Sequence, residues 1–275
     1  MGLDSVSFLN LDEGWEKTVS PMCAFPMGKR NMPPHSSRGD IYAKGSGYSI
    51  SFVHAGSSRV LDVHMDKFMD GGPIDGHIVL TDEPAESMVI ATPFGKPGHF
   101  YYNQKINCMR AEGGVTVLGR TYIFEPDSAF AVLDWGRGVW TYRNTWYWGS
   151  ASGAADGVPF GWNIGYGFGD TSAATENMLF YAGKAHKLSR VTFNIPQKDG
   201  RFDYMSPWTF TSDDGRFEMD FTPVLDRASC TDVKLIKSDQ HQVFGVFTGR
   251  AVLDDGTVIN VRDFPGFAER VENKW

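Results

Sequence analysis

Residues 133–153, LDWGRGVWTYRNTWYWGSASG, decide how this chain is read. The stretch holds Trp135, Trp140, Trp146 and Trp148, half of the chain's eight tryptophans, together with Arg137, Arg143 and one carboxylate, Asp134. From Trp140 the alternate positions are Trp140, Tyr142, Asn144, Trp146 and Trp148, and the intervening ones are Val139, Thr141, Arg143, Thr145 and Tyr147. A period of two predicts a β-strand. One face of that strand is nearly all aromatic, so it either packs a core or walls an aromatic cavity, and both readings stand at this level.

Outward from this strand, the pattern is short and repetitive. Hydrophobic residues make up 41% and aromatic residues 14% of 275 residues, with 31 glycines and 14 prolines, which predicts many short strands and tight turns. Upstream, SVSFLNL and then YSISFVH and SRVLDVHM read as strands, the last two as a hairpin about Ala55-Gly56-Ser57. His77–Thr81 and Ser87–Thr92 read as a further pair, and the Pro-rich stretch between Asp12 and Arg38 as a surface loop or entrance flap. Downstream, Phe160, Trp162, Ile164, Tyr166 and Phe168 share one parity while Gly161, Asn163, Gly165, Gly167 and Gly169 share the other. A glycine face within a strand leaves room for a ligand or for close approach of another group. Turn signals at Asp213-Asp214-Gly215 and Asp254-Asp255-Gly256 predict two more hairpins. Phe267, Val271 and Trp275 follow Pro265 at i, i+4, i+8, which predicts a short C-terminal helix.

Composition excludes some function classes. The net charge of −7 with no massed lysine or arginine argues against nucleic acid. No run approaches the length of a membrane-spanning helix, and the N-terminus has no basic start followed by an apolar run, so the expectation is a cytoplasmic protein without an integral membrane segment. Cys23, Cys108 and Cys230 are far apart, fitting reduced thiols, and no histidine or cysteine spacing marks a metal site.

From His99 to Trp275 the chain resembles the family known as domain of unknown function 2804. The resemblance is carried by FYYNQKINCM, AFAVLDWGRGVWTYRNTWYWGSASG, GWNIGYGFGDTSAATENMLFYAGKAHKL, FTPVLDR, SDQHQVFGVFTG and DFPGFAERVENKW. Upstream of His99 the match reduces to a few strand-like echoes, which suggests a chain short at its N-terminus, with an open barrel or a homo-oligomer as the consequence. The family is similar in organisation to the lipocalin-like group that includes carotenoid hydratases, kievitone hydratase and tocopherol cyclase. That similarity implies an all-β fold, as a lipocalin-like (calycin-like) barrel or two consecutive barrel-like β domains, divided here as residues 1–125 and 126–275. It also implies acid–base chemistry on an apolar small molecule without a cofactor.

Such chemistry requires a carboxyl whose proton is held by burial among aromatic rings. Asp134 and Glu176 are the candidate acids, with His241 or Tyr142 as partner. Trp140, Trp146, Trp148 and Trp162 are the candidate walls. Lys105, Asn107, Asn177, Arg137 and Arg143 complete the candidate ligand contacts. Plainer readings stand beside these: Asp134 and Glu176 as ion-pair partners of Arg137 and Arg143, His241 as a satisfied core histidine, Lys105 as a surface lysine on a strand edge. The expected activity is that of a hydratase, isomerase or cyclase. The alternatives are a non-catalytic carrier of lipids or other hydrophobic ligands and, on the tryptophans as a carbohydrate platform, a glycosidase pair.

Overall fold

A computed structural model of the chain describes residues 2–23, 27, 32–233 and 236–274. Every regular element among the described residues is a β-strand, and no helix occurs among them. The chain divides into two compact units, one of residues 1–83 and 109–131 and the other of residues 84–108 and 132–275. The division is not a single cut near residue 125, because the long strand Phe100–Val117 serves both: its first half pairs with Met88–Pro93, its second with Gly72–Thr81 and Arg120–Phe124. These pairings also replace the expected match of His77–Thr81 with Ser87–Thr92.

In the first unit, Ile41–Gly45, Tyr48–Ala55, Ser58–Met69 and Gly72–Thr81 follow one another as antiparallel neighbours. The expected hairpin is present, with Ala55 opposite Ser58 and Gly56 in the left-handed conformation that its turn demands. Met65, Phe68, Ile74, Val115 and Val117 form its core. Part of the stretch read as a loop is ordered, since Trp15–Val19 pairs with Val6–Asn10 and Met22–Cys23 with Gly2–Leu3. Residues 24–26 and 28–31 of that stretch lie outside the described residues.

The second unit is built on a nine-stranded antiparallel sheet curled into a half-barrel. In spatial order its strands are Lys184–Lys187, Met178–Tyr181, Val158–Tyr166, Arg143–Ala155, Val258–Lys274, Ile236–Val252, Phe217–Val233, Trp208–Ser212 and Val191–Asn194. One face of the sheet is packed solid with rings: Phe160, Trp162, Trp208, Phe210, Phe217, Phe221 and Phe247 are all at most 1% exposed. Opposite two of these rings stand small residues, Ala151 facing Trp162 and Gly153 facing Phe160, which is how a curled sheet accommodates bulky side chains from facing strands.

Two expectations are corrected. The C-terminal helix is instead the strand Val258–Lys274, paired on one side with Arg143–Ala155 and on the other with Ile236–Val252. Phe267 and Val271 are four residues apart, an even spacing that also puts them on one face of a strand, and two neighbours satisfying the backbone on both sides decide the outcome. Trp275 lies outside the described residues. The Trp-rich stretch is also not one strand: Phe130–Val139 ends and Arg143–Ala155 begins, with Trp140 and Tyr142 in the turn between. The Asn144 amide donates to the Thr141 carbonyl at 2.6 Å and the Thr141 hydroxyl to Asn144 Oδ1 at 2.9 Å, a local side-chain network that competes with continued strand pairing.

Candidate functional site

The face of the nine-stranded sheet opposite the aromatic core carries Trp146, Trp148, Ser150 and Ser152 on one strand, Gly161, Asn163 and Gly165 on the next, and Phe267 and Glu269 on the other flank. The register sets Trp148 between Gly165 and Glu269. Against this face, within the same unit, lies the start of Phe100–Val117, whose alternate residues Asn103, Lys105 and Asn107 are all at most 4% exposed. A strand that buries three polar side chains in succession needs partners for them. Asn107 donates to Ser150 Oγ at 2.8 Å and to the Trp162 carbonyl at 3.0 Å, and so fastens this strand to the sheet.

Lys105 finds a charge. Its ammonium lies 2.6 Å from Asp134 Oδ1 and 3.9 Å from the centre of the Trp148 ring. The expected arginine partner of Asp134 is therefore a lysine from a different strand, and Lys105 is buried rather than reaching solvent. The Asp134 side chain remains 38% exposed, so the cluster opens outward at this carboxylate.

Two further carboxyls lie inside. Glu269, unremarked in the sequence, accepts a hydrogen bond from Trp146 Nε1 at 2.8 Å and another from Gln242 Nε2 at 3.0 Å. Burial pushes its pKa up to about 7 against the pull of the Trp146 hydrogen bond and the Lys105 charge, with Asp134 adding to the rise. Glu176 accepts from Asn163 Nδ2 at 3.3 Å, and burial likewise raises its pKa while Lys105 opposes the rise. The glycine face anticipated in the sequence explains its position: a Cβ on Gly165 would stand 2.9 Å from Glu176 Oε1. The room left by the missing side chain is taken by a carboxylate. Asn163 also accepts from Trp148 Nε1 at 2.7 Å, so one amide orients both Glu176 and the indole. The Tyr101 phenol is held protonated, first by burial and then by the charges of Asp134, Glu176 and Glu269.

Rings close one side of the cluster. Phe168 is surrounded by Phe94, Tyr101, Trp140 and Trp146 at centroid distances of 5.2, 4.9, 5.9 and 5.1 Å.

The other sequence candidates fall elsewhere. Trp162 is inside the aromatic core, flanked by Phe160, Phe217, Phe247 and Phe264, because its parity on Val158–Tyr166 faces the packed side of the sheet. His241 also points to that side, at the edge of the core. Its Nδ1 is 2.7 Å from Asp226 Oδ2, and its ring stacks on Tyr204 at 3.9 Å beside an open groove of about 590 Å³. It therefore does not meet Asp134 or Glu176. Asn177 is a staple, accepting from the Gly165 amide at 2.7 Å and donating to the Ser189 carbonyl at 2.8 Å. Tyr142 is 46% exposed with Lys274 above its ring, and Arg137 and Arg143 are exposed. Among the described residues no group of three metal-ligating side chains occurs, and no helix is long and apolar enough to cross a membrane.

What the cluster can do chemically is hold and release a proton near neutrality beside aromatic faces. One carboxyl titrates near 7, a second is raised, and the fixed Lys105–Asp134 pair sets the field around both.

The family model for "domain of unknown function (DUF2804)" matches residues 1–275, so the match is not confined to the part after His99, and the chain belongs to that family. No curated protein matches the chain. Among solved structures it is similar to an AttH-like protein from Nitrosomonas europaea, with a TM-score of 0.53 at 11% identity over 99% of this chain and 80% of the other. It is also similar to CghA, solved with Sch210972, with a TM-score of 0.51 at 12% identity over 95% and 77% of the two chains. Kievitone hydratase from Nectria haematococca aligns at a TM-score of 0.47 and 12% identity over 99% and 79%. At such identities the first two similarities establish a shared fold.

Proposed function

We propose that this member of the DUF2804 family is a cofactor-independent acid–base enzyme, a hydratase, isomerase or cyclase of an apolar small molecule, with Glu269 as its proton donor. The observation that carries the reading is the Glu269 carboxyl, buried, oriented by the Trp146 N–H at 2.8 Å and raised to about 7. A general acid works best with a pKa close to the operating pH, and burial beside other carboxyls is how such a value is reached.

In this reading Glu269 protonates one carbon of a carbon–carbon double bond. The cation formed is stabilised by the faces of Trp140 and Trp146. In a hydration, water oxygen adds to that cation and the proton it loses returns to the Glu269 carboxylate, so the net change is addition of one water. In an isomerisation or cyclisation, the Glu269 carboxylate takes the proton from a different carbon. Lys105 is paired with Asp134 at 2.6 Å, while burial gives Glu269 the raised proton affinity that a donor needs.

The test is solvent deuterium incorporation into a panel of apolar alkenes and tertiary alcohols, followed by mass spectrometry. The wild-type protein incorporates deuterium with a pH profile that falls above about 7, and Glu269→Gln loses about a hundredfold or more of the rate while remaining folded. Equal incorporation by the wild-type, Glu269→Gln and Glu176→Gln proteins refutes the reading. Unchanged ligand affinity in those variants, with no turnover by the wild-type protein, makes it a carrier.

A further inference from the structure

We propose that the ring box around Phe168 is a ligand subsite for an uncharged, ring-sized apolar group, and that Phe168 fills it until a ligand takes its place. The proposal builds on the acid–base reading of the neighbouring cluster and adds to it the class of group that the ligand presents there.

The first observation is the box itself. Phe94, Tyr101, Trp140 and Trp146 surround one phenyl ring at 4.9–5.9 Å, most of them edge-to-face, which is the arrangement that apolar rings prefer. Two of the four walls belong to the acid cluster. Trp146 donates to Glu269, and Tyr101 feels the charges of all three carboxyls. A ring held in this box therefore lies one side chain away from the proton donor.

The second observation is the origin of the plug. Phe168 does not come from a wall strand but from the connection that follows Val158–Tyr166, where residues 167–177 belong to no strand. It is flanked by Gly167 at φ +96° and Gly169 at φ +99°, conformations that side-chain-bearing residues rarely adopt. Both glycines press on neighbours: a Cβ on Gly167 would lie 2.5 Å from the Thr145 carbonyl oxygen, and one on Gly169 2.7 Å from Thr92 Cγ2. The seat is thus specific for this loop path; the Asp170 amide, donating to the Pro93 carbonyl at 2.7 Å, ties the loop beside Phe168 to the wall of the box, while the far end of the loop is held by Asn163 Nδ2 on the Glu176 carbonyl at 3.0 Å and by the Leu188 amide on the Asn177 carbonyl at 3.0 Å. Glycine on both sides of the phenylalanine gives the loop the torsional freedom to leave.

The third observation is space. The same loop borders a groove of about 440 Å³ lined by Tyr166, Gly167, Gly169, Asp170 and Arg190 among others. Trp140, at the turn between two strands, is 37% exposed, so the box has an outer wall that solvent reaches.

Fluorobenzene is the probe, observed by ¹⁹F NMR, with Phe168 ring protons and Glu269 carboxyl ¹³C signals followed in the same wild-type sample. The expected result is that fluorobenzene moves the Phe168 ring signals away from their ring-current-shifted positions and raises the Glu269 titration midpoint, because an apolar ring excludes water from the carboxyl. Phe168→Ala and, as a variant that keeps most of the packing, Phe168→Leu bind fluorobenzene about tenfold or more tighter than wild type, since the competing plug is gone. The proposal is overturned if fluorobenzene leaves the wild-type Phe168 and Glu269 signals unmoved up to its solubility, even if Phe168→Ala binds it in an engineered void. It is equally overturned if tetramethylammonium displaces Phe168 and fluorobenzene does not, which would make the box a cation site. Failure here with deuterium exchange intact removes the subsite and leaves the acid. Displacement of Phe168 with no exchange in any protein retains the subsite and removes the acid.

Discussion

The Trp146 indole N–H donates to Glu269 Oε1 at 2.8 Å across two adjacent strands of one sheet. It joins the most ring-rich part of the sequence to a carboxyl whose surroundings make it a weak acid. The pH dependence of stability follows from this pair. Glu269 rises from its ordinary 4.5 to about 7 on folding, so between those values the folded state binds more protons than the unfolded state, and stability falls as pH rises. The loss is about 3 kcal/mol, complete above the folded value and absent below the unfolded one. Urea unfolding of wild type and Glu269→Gln at pH 5 and pH 8 checks it. The wild-type protein loses more stability than the variant between the two, and parallel losses contradict the assignment.

Lys105→Met removes the ammonium that favours ionisation of both buried glutamates. The Glu269 midpoint is expected to move upward from its wild-type value, as read by carboxyl ¹³C NMR. Asp134, partly exposed, stays solvated, so the variant is expected to fold. A downward movement or none would show that Lys105 does not act on Glu269.

Gly165→Ala places a methyl 2.8 Å from the Tyr147 carbonyl oxygen and 2.9 Å from Glu176 Oε1. Overpacking of this kind costs about 1–3 kcal/mol. The expected outcome in denaturant unfolding is a loss within that range, accompanied by a changed Glu176 titration because its carboxyl must move off Asn163. A neutral substitution would mean that the glycine face is not what admits Glu176.

Trp162→Ala and His241→Asn separate the two faces of the sheet. The first empties a fully buried site among four rings and is expected to cost about 3–5 kcal/mol. The second removes the Asp226 partner at the edge of the same face and leaves the Glu269 titration unchanged. Movement of the Glu269 midpoint in His241→Asn would show coupling through the sheet.

Much of this arrangement was legible in the chain itself. Alternation at Trp146, Tyr147 and Trp148 specified a two-faced strand, and alternation from Phe160 to Tyr166 specified a neighbour with one bulky and one bare face; the same parity did not carry on to Phe168, which leaves the strand and joins the rings of Tyr101 and Trp146. Turn residues such as Gly56 and Gly256 set hairpins where they stand, because a left-handed turn position needs a residue without a Cβ. Glu176 was recognisable as a carboxyl beside a glycine-lined face. Glu269 was not, since Phe267 and Val271 fit a helix as readily as a strand, and reading ERVENK as helical hides that Phe267, Glu269 and Val271 share a face.

Sequence by itself determined that the chain is built mainly of β-strands, which faces are apolar and where most hairpins turn, because periodicity and turn chemistry act over a few residues; it left the last strand to be read as a helix. Tertiary structure alone decided which of two aromatic faces is core and which is site. It put Trp162 and His241 on one side and Trp146, Trp148 and Glu269 on the other, and it gave Lys105 to Asp134 rather than either carboxyl to an arginine. Those outcomes depend on register between strands distant in sequence and on burial, which sets the proton affinity of a carboxyl through charges and rings that no local spacing records.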